Sequence, residues 1–488
     1  MAKTVTTGDP LPGPFAGQSM NCRACHLVNE FRETLGNSSY ADFARRSPLP
    51  AREDGRTVTT RNSPSLVSAK ARSNRPDLLH LDGEFCTIRE LIESTLTGRN
   101  FGWLPEEKAT ANHHIAEVIR HDDGSGALAR ERSDGFSYSA LFASASRLSA
   151  RNIRLPASYR IDVSTATDKE ILASVAQMIG AYVRSLRFHR DFQGEFDTSP
   201  YDVFLAKNSL PRAPRCIHPG ECDVESDIAY ARRLRSAIDE LKEPRWVVPG
   251  DGRFLTHDQA FEFGPDELAG LKIFLAEPHN SEAASSAHIG NCLACHVPPA
   301  FSDFDFHNTG ASQEEYDRIH GEGAFGQLVI PGLEKRTQDY GAFLPPTSLH
   351  PRANGRFAAV PDAEHPERAD LGLWNVFANP DCPNPQARLR ALLGSLSPED
   401  SGTPLLDRCI ACFKTPSLRD LGQDPPYLHN GAKDTIADVI RFYLDFSERA
   451  RRGAVRNADA RMKKVFLETE DIGSLVKFLR SLNEDYDE

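Results

Sequence analysis

Two runs of Cys-x-x-Cys-His constrain this chain more than anything else in it: Cys22-Arg-Ala-Cys25-His26 and Cys292-Leu-Ala-Cys295-His296. With 10 cysteines and 16 histidines among 488 residues, composition alone yields such a run roughly 0.007 times. Covalent attachment of a c-type haem needs this spacing. Two thiols add to the haem vinyl groups, and the adjacent histidine ligates the iron from the proximal side. A zinc or thiol-redox Cys-x-x-Cys with an accidental histidine would have to occur twice. Two covalent haem c groups are therefore expected, one on Cys22, Cys25 and His26 and one on Cys292, Cys295 and His296.

The motifs belong to a longer internal repeat. Asn21–His26 recurs as Asn291–His296, and Arg61-Asn-Ser-Pro-Ser-Leu66 is echoed by Phe413-Lys-Thr-Pro-Ser-Leu418. Leu81-Asp-Gly83 is followed by Thr87, Ile88 and Ile92; His429-Asn-Gly431 is followed by Thr435, Ile436 and Ile440 at the same offsets. Val183-Arg-Ser-Leu186 approximates Phe478-Leu-Arg-Ser-Leu482. Landmarks in one order predict two related units. The expected fold is mainly α: two cytochrome-c-like haem domains, 15–190 and 258–488, joined by 191–257, with long loops and extra inserted segments near 121–160, 188–257 and 311–408. Thr167-Asp-Lys-Glu170 reads as a capping box opening a helix over Ile171–Leu186. Ile472, Leu475, Val476 and Leu479 have helical spacing, as do Leu268, Leu271 and Leu275 within a helix over Asp266–Leu275. Asp223–Leu241 reads as a solvent-facing amphipathic helix.

Hydrophobic residues make up 40% of the chain, enough for real cores, and no apolar run is long enough to span a bilayer. The net charge of −12 argues against nucleic acid as a partner. Met1–Phe15 lacks the hydrophobic centre of a secretory signal, so the expectation is a mature, exported chain. Haem attachment of this kind takes place outside the bacterial cytoplasm, which predicts a periplasmic location. An oxidising compartment also accounts for the remaining cysteines. Cys216 and Cys222 flank a turn-like loop and are expected to pair; Cys86 and Cys382 pair with each other or stay free. Cys409-Ile-Ala-Cys412 lacks the following histidine, so it reads as a disulfide beside the second haem or as a reactive thiol pair, not as a third haem site.

The repeat exposes one functional difference. The helix after Gly431 carries Tyr443; the equivalent position after Gly83 is Thr95. A phenolate ligates ferric iron, whereas a threonine hydroxyl is a poor ligand. The second haem is expected to have two protein ligands, His296 and Tyr443, and the first only His26. Packing beside Phe442 is the plainer role for Tyr443, and Met462 is the rival ligand among the four methionines, Met1, Met20, Met178 and Met462. One open haem and one closed haem suit an enzyme better than a simple carrier.

Phe413-Lys-Thr-Pro-Ser-Leu-Arg419, Pro426-Tyr-Leu-His-Asn-Gly431, the stretch Thr435–Tyr443 and Phe306-His-Asn-Thr-Gly310 together resemble the C-terminal domain of bacterial di-haem cytochrome c peroxidases and MauG-type enzymes. Arg61-Asn-Ser-Pro and Asp82-Gly83 resemble their first domain more loosely. The resemblance implies a peroxidatic haem in the N-terminal domain and an electron-transfer haem in the C-terminal one, with hydrogen peroxide as substrate. The second haem's distal ligand is Met in the cytochrome c peroxidases and Tyr in the MauG branch. Tyr443 falls at that position, which implies MauG-like storage of two oxidising equivalents as high-valent iron shared between the haems. The electron source is then a small cytochrome or copper protein, or a side chain of a protein substrate. The family also admits a calcium ion between the domains, for which no Asn is placed here, and a homodimer is left open. The family's Phe-Trp-Asp-Gly-Arg, whose Trp lies between the haems, is replaced by His80-Leu-Asp-Gly-Glu84, and Trp103 is the nearest substitute; Trp246 and Trp374 lie in poorly matched segments. The family's distal carboxylate in a Pro-x-Glu setting matches Glu107, with Glu106 second. His80, His113 and His114 are other distal candidates, although His113-His114 reads as ordinary helix. A non-enzymatic di-haem electron carrier is the competing reading.

Overall fold

The computed structural model describes residues 26, 46, 47, 49–67, 78–143, 154–216, 224–255, 257–278, 287–394, 403–423 and 425–487. Cys22, Cys25 and Cys222 lie outside them. The described residues are mainly α-helical, with two short antiparallel ladders, Arg187–Phe188 on Tyr486–Asp487 and Phe306–His307 on Phe413–Lys414. The first ladder ties the end of the N-terminal unit to the C-terminal tail.

The repeat is visible in how corresponding helices begin. The helix Ile88–Leu96 is capped by Thr87, whose side chain accepts from Glu90 N; Ile436–Arg451 is capped by Thr435, which accepts from Asp438 N. Such a cap is worth about 1 kcal/mol. The capping box before the long helix of the first unit also forms. Thr167 N donates to Glu170 Oε2 at 2.8 Å, Glu170 N donates to Thr167 Oγ1 at 3.3 Å, and the helix runs Asp168–Ser185. In the second unit, Pro265–Phe274 packs along Asp471–Arg480. The crossing is close enough that a Cβ on Gly270 would lie 2.0 Å from the Ser474 carbonyl oxygen, so a larger residue would force the helices apart.

The connecting segment shares a core with the second unit. Tyr201, Phe204, Leu205, Tyr230, Leu234 and Ile238 pack with Phe263, Phe274, Phe301 and Phe478. The amphipathic helix runs Asp227–Asp239 and buries Tyr230, Ala231, Leu234 and Ile238. It is therefore a core element with one wet face, which corrects the solvent-facing reading. Arg419 fastens this region. Its guanidinium, 1% exposed, donates to Asp202 at 2.9 Å, to Glu484 at 2.6 Å and to the Pro299 carbonyl at 2.9 Å, and it stacks 3.7 Å from the centre of the Phe196 ring.

Segment 311–408, which carried no legible motif, builds a second core around the fully buried Trp374 with Phe325, Phe343, Phe357, Phe377 and Leu406. Arg336 is buried there and donates to the Trp374 and Phe377 carbonyls. Cys409 and Cys412 belong to this core and are free thiols, not a disulfide. Each Sγ donates instead to a carbonyl one turn back, Leu405 O at 3.1 Å and Arg408 O at 3.0 Å, and burial pushes both thiols up, against reactivity. Cys86 and Cys382 are also free. Cys216 is disulfide-bonded; its expected partner, Cys222, is outside the described residues. No helix among the described residues is long and apolar enough to cross a membrane.

Candidate functional site

The second motif forms a single helical turn. Cys292–Ala294 are 3-10, and His296 N donates to Cys292 O at 2.8 Å. Residues at i, i+3 and i+4 of a helical turn share a face, which is the physical reason for the spacing: Cys292, Cys295 and His296 all reach the wall of one cavity. The turn is tightly entered. Asn291 has φ 49°, and a Cβ on Gly290 would lie 2.7 Å from the Ile273 carbonyl oxygen. The first motif enters the described residues through His26, which lines the same cavity.

The two histidines are held alike. His26 Nδ1 donates to the Pro64 carbonyl at 3.0 Å. His296 Nδ1 donates to the Phe301 carbonyl at 3.0 Å, and the Pro416 carbonyl is a further backbone partner. Pro64 and Pro416 occupy the same position of the repeat. Burial pushes both imidazoles below the ordinary histidine range, so each is neutral, with its proton on Nδ1 and a lone pair on Nε2. That is the tautomer an iron ligand requires.

The cavity measures about 1680 Å³, beyond the roughly 300–1,000 Å³ of an ordinary small-molecule site. Its walls include Ile88, Leu91, Ile92, Ile436, Val439 and Ile440, the apolar faces of the two capped helices. Arg56 lines it too. Burial pushes its guanidinium down; it donates to Thr60 Oγ1 at 3.4 Å and has no ion pair among the described residues. A haem propionate would answer that charge. Anchored histidines, free Cys292 and Cys295 thiols, apolar walls and a half-buried cation fit two haems in one connected space.

Thr95 and Tyr443 stand at equivalent places on Ile88–Leu96 and Ile436–Arg451, and both line the cavity. Burial pushes the Tyr443 phenol up, with Cys295 and Cys292 near enough to add to the shift. A cation in the cavity would reverse that preference. Met462, 5% exposed, lines the same wall and packs with Phe442, Phe446 and Tyr443.

The distal candidates separate. Glu106 lines the cavity and Glu107 does not. Both Glu107 oxygens are taken by Arg52, at 2.7 and 2.9 Å, and Oε2 also accepts from Leu104 N at 2.9 Å. Burial would raise its carboxyl, but the arginine outweighs burial and holds it below the ordinary range. Glu107 is thus a closing residue of a 3-10 turn, and the preference for it over Glu106 is reversed. Trp103 is buried against His114, ring centres 5.5 Å apart, and does not line the cavity. His113 is half-exposed and paired with Asp168 at 2.9 Å. Trp246 stacks on Phe204, and Trp374 sits in the separate core. His80 lines the cavity, with Nδ1 3.4 Å from Glu84 Oε2.

Three features escaped sequence reasoning. Arg61 is held by Asp370 at 2.6 and 2.8 Å and by Asp82; burial would lower its pKa, but the two carboxylates prevail and raise it. His307 is bound on both nitrogens, by Asp303 at 2.9 Å and Asp459 at 2.7 Å, beside Cys295. Burial would lower it, yet the two acids push it up to about 12, which makes it a fixed cation. Arg56 is the third. Arg61 and His307 sit in recognised motifs, but one carboxylate partner of each, Asp370 and Asp459, is 309 and 152 residues away in sequence.

No protein-family model matches the sequence, and no curated protein matches it. Solved structures similar in fold include the di-haem peroxidase BthA from Burkholderia thailandensis, with TM-score 0.47, 18% identity, and cover of 98% of this chain and 84% of that one. A tyrosine-to-methionine variant of the same protein gives TM-score 0.45 at 16% identity and the same cover. A MauG-like protein associated with microbial copper homeostasis gives TM-score 0.35 at 14% identity, covering 90% of this chain and 77% of that one. At these scores the likeness bears no weight in the function proposed.

Proposed function

We propose that this chain is a di-haem c-type oxidoreductase of the peroxidase kind, in which hydrogen peroxide reacts at the haem held by His26 and the haem held by His296 shares oxidising equivalents with it. One observation carries the reading: at the same turn of two equivalent helices lining one cavity, one unit places Thr95 and the other Tyr443. Each haem, held by its cysteines and histidine, would supply an iron that changes valence. Every other role falls to the chain. Cys22 with Cys25 and Cys292 with Cys295 hold the cofactors. Pro64 and Phe301 orient the proximal rings through Nδ1. Arg56 balances cofactor carboxylates. Glu106, on the cavity wall, moves the proton between the peroxide oxygens. Tyr443 closes the second site, which makes it MauG-like. The disulfide-bonded Cys216 and the haem chemistry agree with a periplasmic location.

The test is Tyr443→Phe in the haem-loaded protein. Loss of the low-spin ferric signal of one haem supports the assignment. An unchanged low-spin spectrum overturns it and passes the role to Met462. Rapid turnover with a reduced small cytochrome or cupredoxin would place the enzyme with the cytochrome c peroxidases. Two low-spin haems inert to peroxide, even after partial reduction, would make it an electron carrier.

A further inference from the structure

Arg61 and Phe413 are the same position of the internal repeat, three residues before Pro64 and Pro416, the prolines whose carbonyls face the two proximal histidines. The structure brings these two residues together. The Arg61 guanidinium carbon lies 5.4 Å from the centre of the Phe413 ring. On Phe413 stacks His429, with ring centres 3.5 Å apart and planes 10° from parallel. All three line the shared cavity.

The stack is clamped from both units. Asn62 N donates to the His429 carbonyl at 2.7 Å, and Asn62 Nδ2 donates to the Pro426 carbonyl at 2.6 Å. Ser312 Oγ donates to the Asp370 carbonyl at 2.8 Å and sits 3.3 Å from His429 Nε2. The Nε2–H is therefore left to donate to that hydroxyl, which fixes the ring. Asp370 and Asp82 fix Arg61. Burial drives the His429 imidazole down to about 3, so it stacks as a neutral π-system. Trp103 and the other tryptophans are elsewhere, and no other stacked aromatic pair among the described residues joins residues of this cavity.

We infer that the Phe413–His429 stack, capped by Arg61, is the electronic contact between the two haem sites. The inference rests on the proposed function. One electron leaves the iron at His296 and arrives at the iron at His26. No bond forms or breaks in that step, an external one-electron reductant supplies the electron, and peroxide is its final acceptor. Electron tunnelling decays more slowly through packed π-contacts than across a gap, so a rigid stack rooted in both proximal loops is a better path than an open cavity.

The experiment uses the full haem-loaded chain. A photoreductant pulse injects less than one electron per molecule, and the redistribution between the two haems is followed by their separate absorption bands. Phe413→Leu and His429→Leu remove an aromatic ring; His429→Phe keeps one. The expected result is redistribution slowed by about tenfold or more in both leucine variants and retained in His429→Phe, with both midpoint potentials and ligation spectra as in the unaltered protein. Unchanged redistribution in the leucine variants overturns the inference. So does slowing accompanied by shifted potentials, which would make the stack a prop for the proximal loops. Failure of the functional reading would show separately, as two low-spin haems in the unaltered protein.

Discussion

Replacing Arg419 by Met keeps the aliphatic stem and removes the charge from a buried site. Asp202 and Glu484, with side chains 5% and 0% exposed, would lose the only cation set against both among the described residues. Breaking a buried ion pair from one side costs about 3–5 kcal/mol. The Pro299 carbonyl also loses its donor. At a urea dependence of about 2 kcal/mol per molar, that cost lowers the unfolding midpoint by about 1.5–2.5 M. The loop Pro299–Phe301 bears the Phe301 carbonyl that orients His296, so the Soret band of the second haem is expected to change before global unfolding. Urea titration of the loaded protein, followed by circular dichroism and by haem absorption, measures both. A midpoint shift below about 0.5 M, or roughly 1 kcal/mol, would refute the claim that this triad is desolvated and cation-dependent.

Burial pushes the Glu484 carboxyl above the ordinary glutamate range, and Arg419 offsets only part of that shift. A raised acid holds its proton in the folded state, so the associated stability is full below the unfolded value and is lost as pH rises toward the folded one. Stability of the unaltered protein is expected to fall as pH rises above the ordinary glutamate range; Glu484→Gln should flatten that dependence in denaturation midpoints measured across a pH series, and an unchanged slope would assign it to another group. The two adjacent glutamates should also separate. Glu106→Gln is expected to slow the reaction of the loaded protein with peroxide in stopped-flow spectra while leaving stability unchanged, whereas Glu107→Gln should cost about 1–3 kcal/mol through the lost Arg52 pair with peroxide reactivity retained.

What was legible in the sequence was local. The Thr167–Glu170 capping box depends on neighbours within a few residues, and it forms as expected; Thr87 and Thr435 stand at the same offset of the repeat, and the structure adds that both cap their helices. The correspondence of Thr95 with Tyr443 was legible because the repeat preserves helix phase. The interpretation of Glu107 failed because its partner, Arg52, is 55 residues upstream and carries no motif. The core around Trp374 was invisible because irregular loops supply much of it, leaving no periodic apolar face to read. Cys409-Ile-Ala-Cys412 has the spacing of a disulfide or redox pair, yet helix-end carbonyls 3.1 and 3.0 Å away draw both thiols aside.

The central claim is that one haem is open and the other closed because the repeat carries Thr95 in one half and Tyr443 in the other. Electron paramagnetic resonance of the fully ferric, haem-loaded protein, alongside its Thr95→Tyr variant, tests it most directly. One high-spin and one low-spin haem are expected in the unaltered protein, and conversion of the high-spin signal with loss of peroxide reactivity in the variant. Two low-spin signals in the unaltered protein would contradict it.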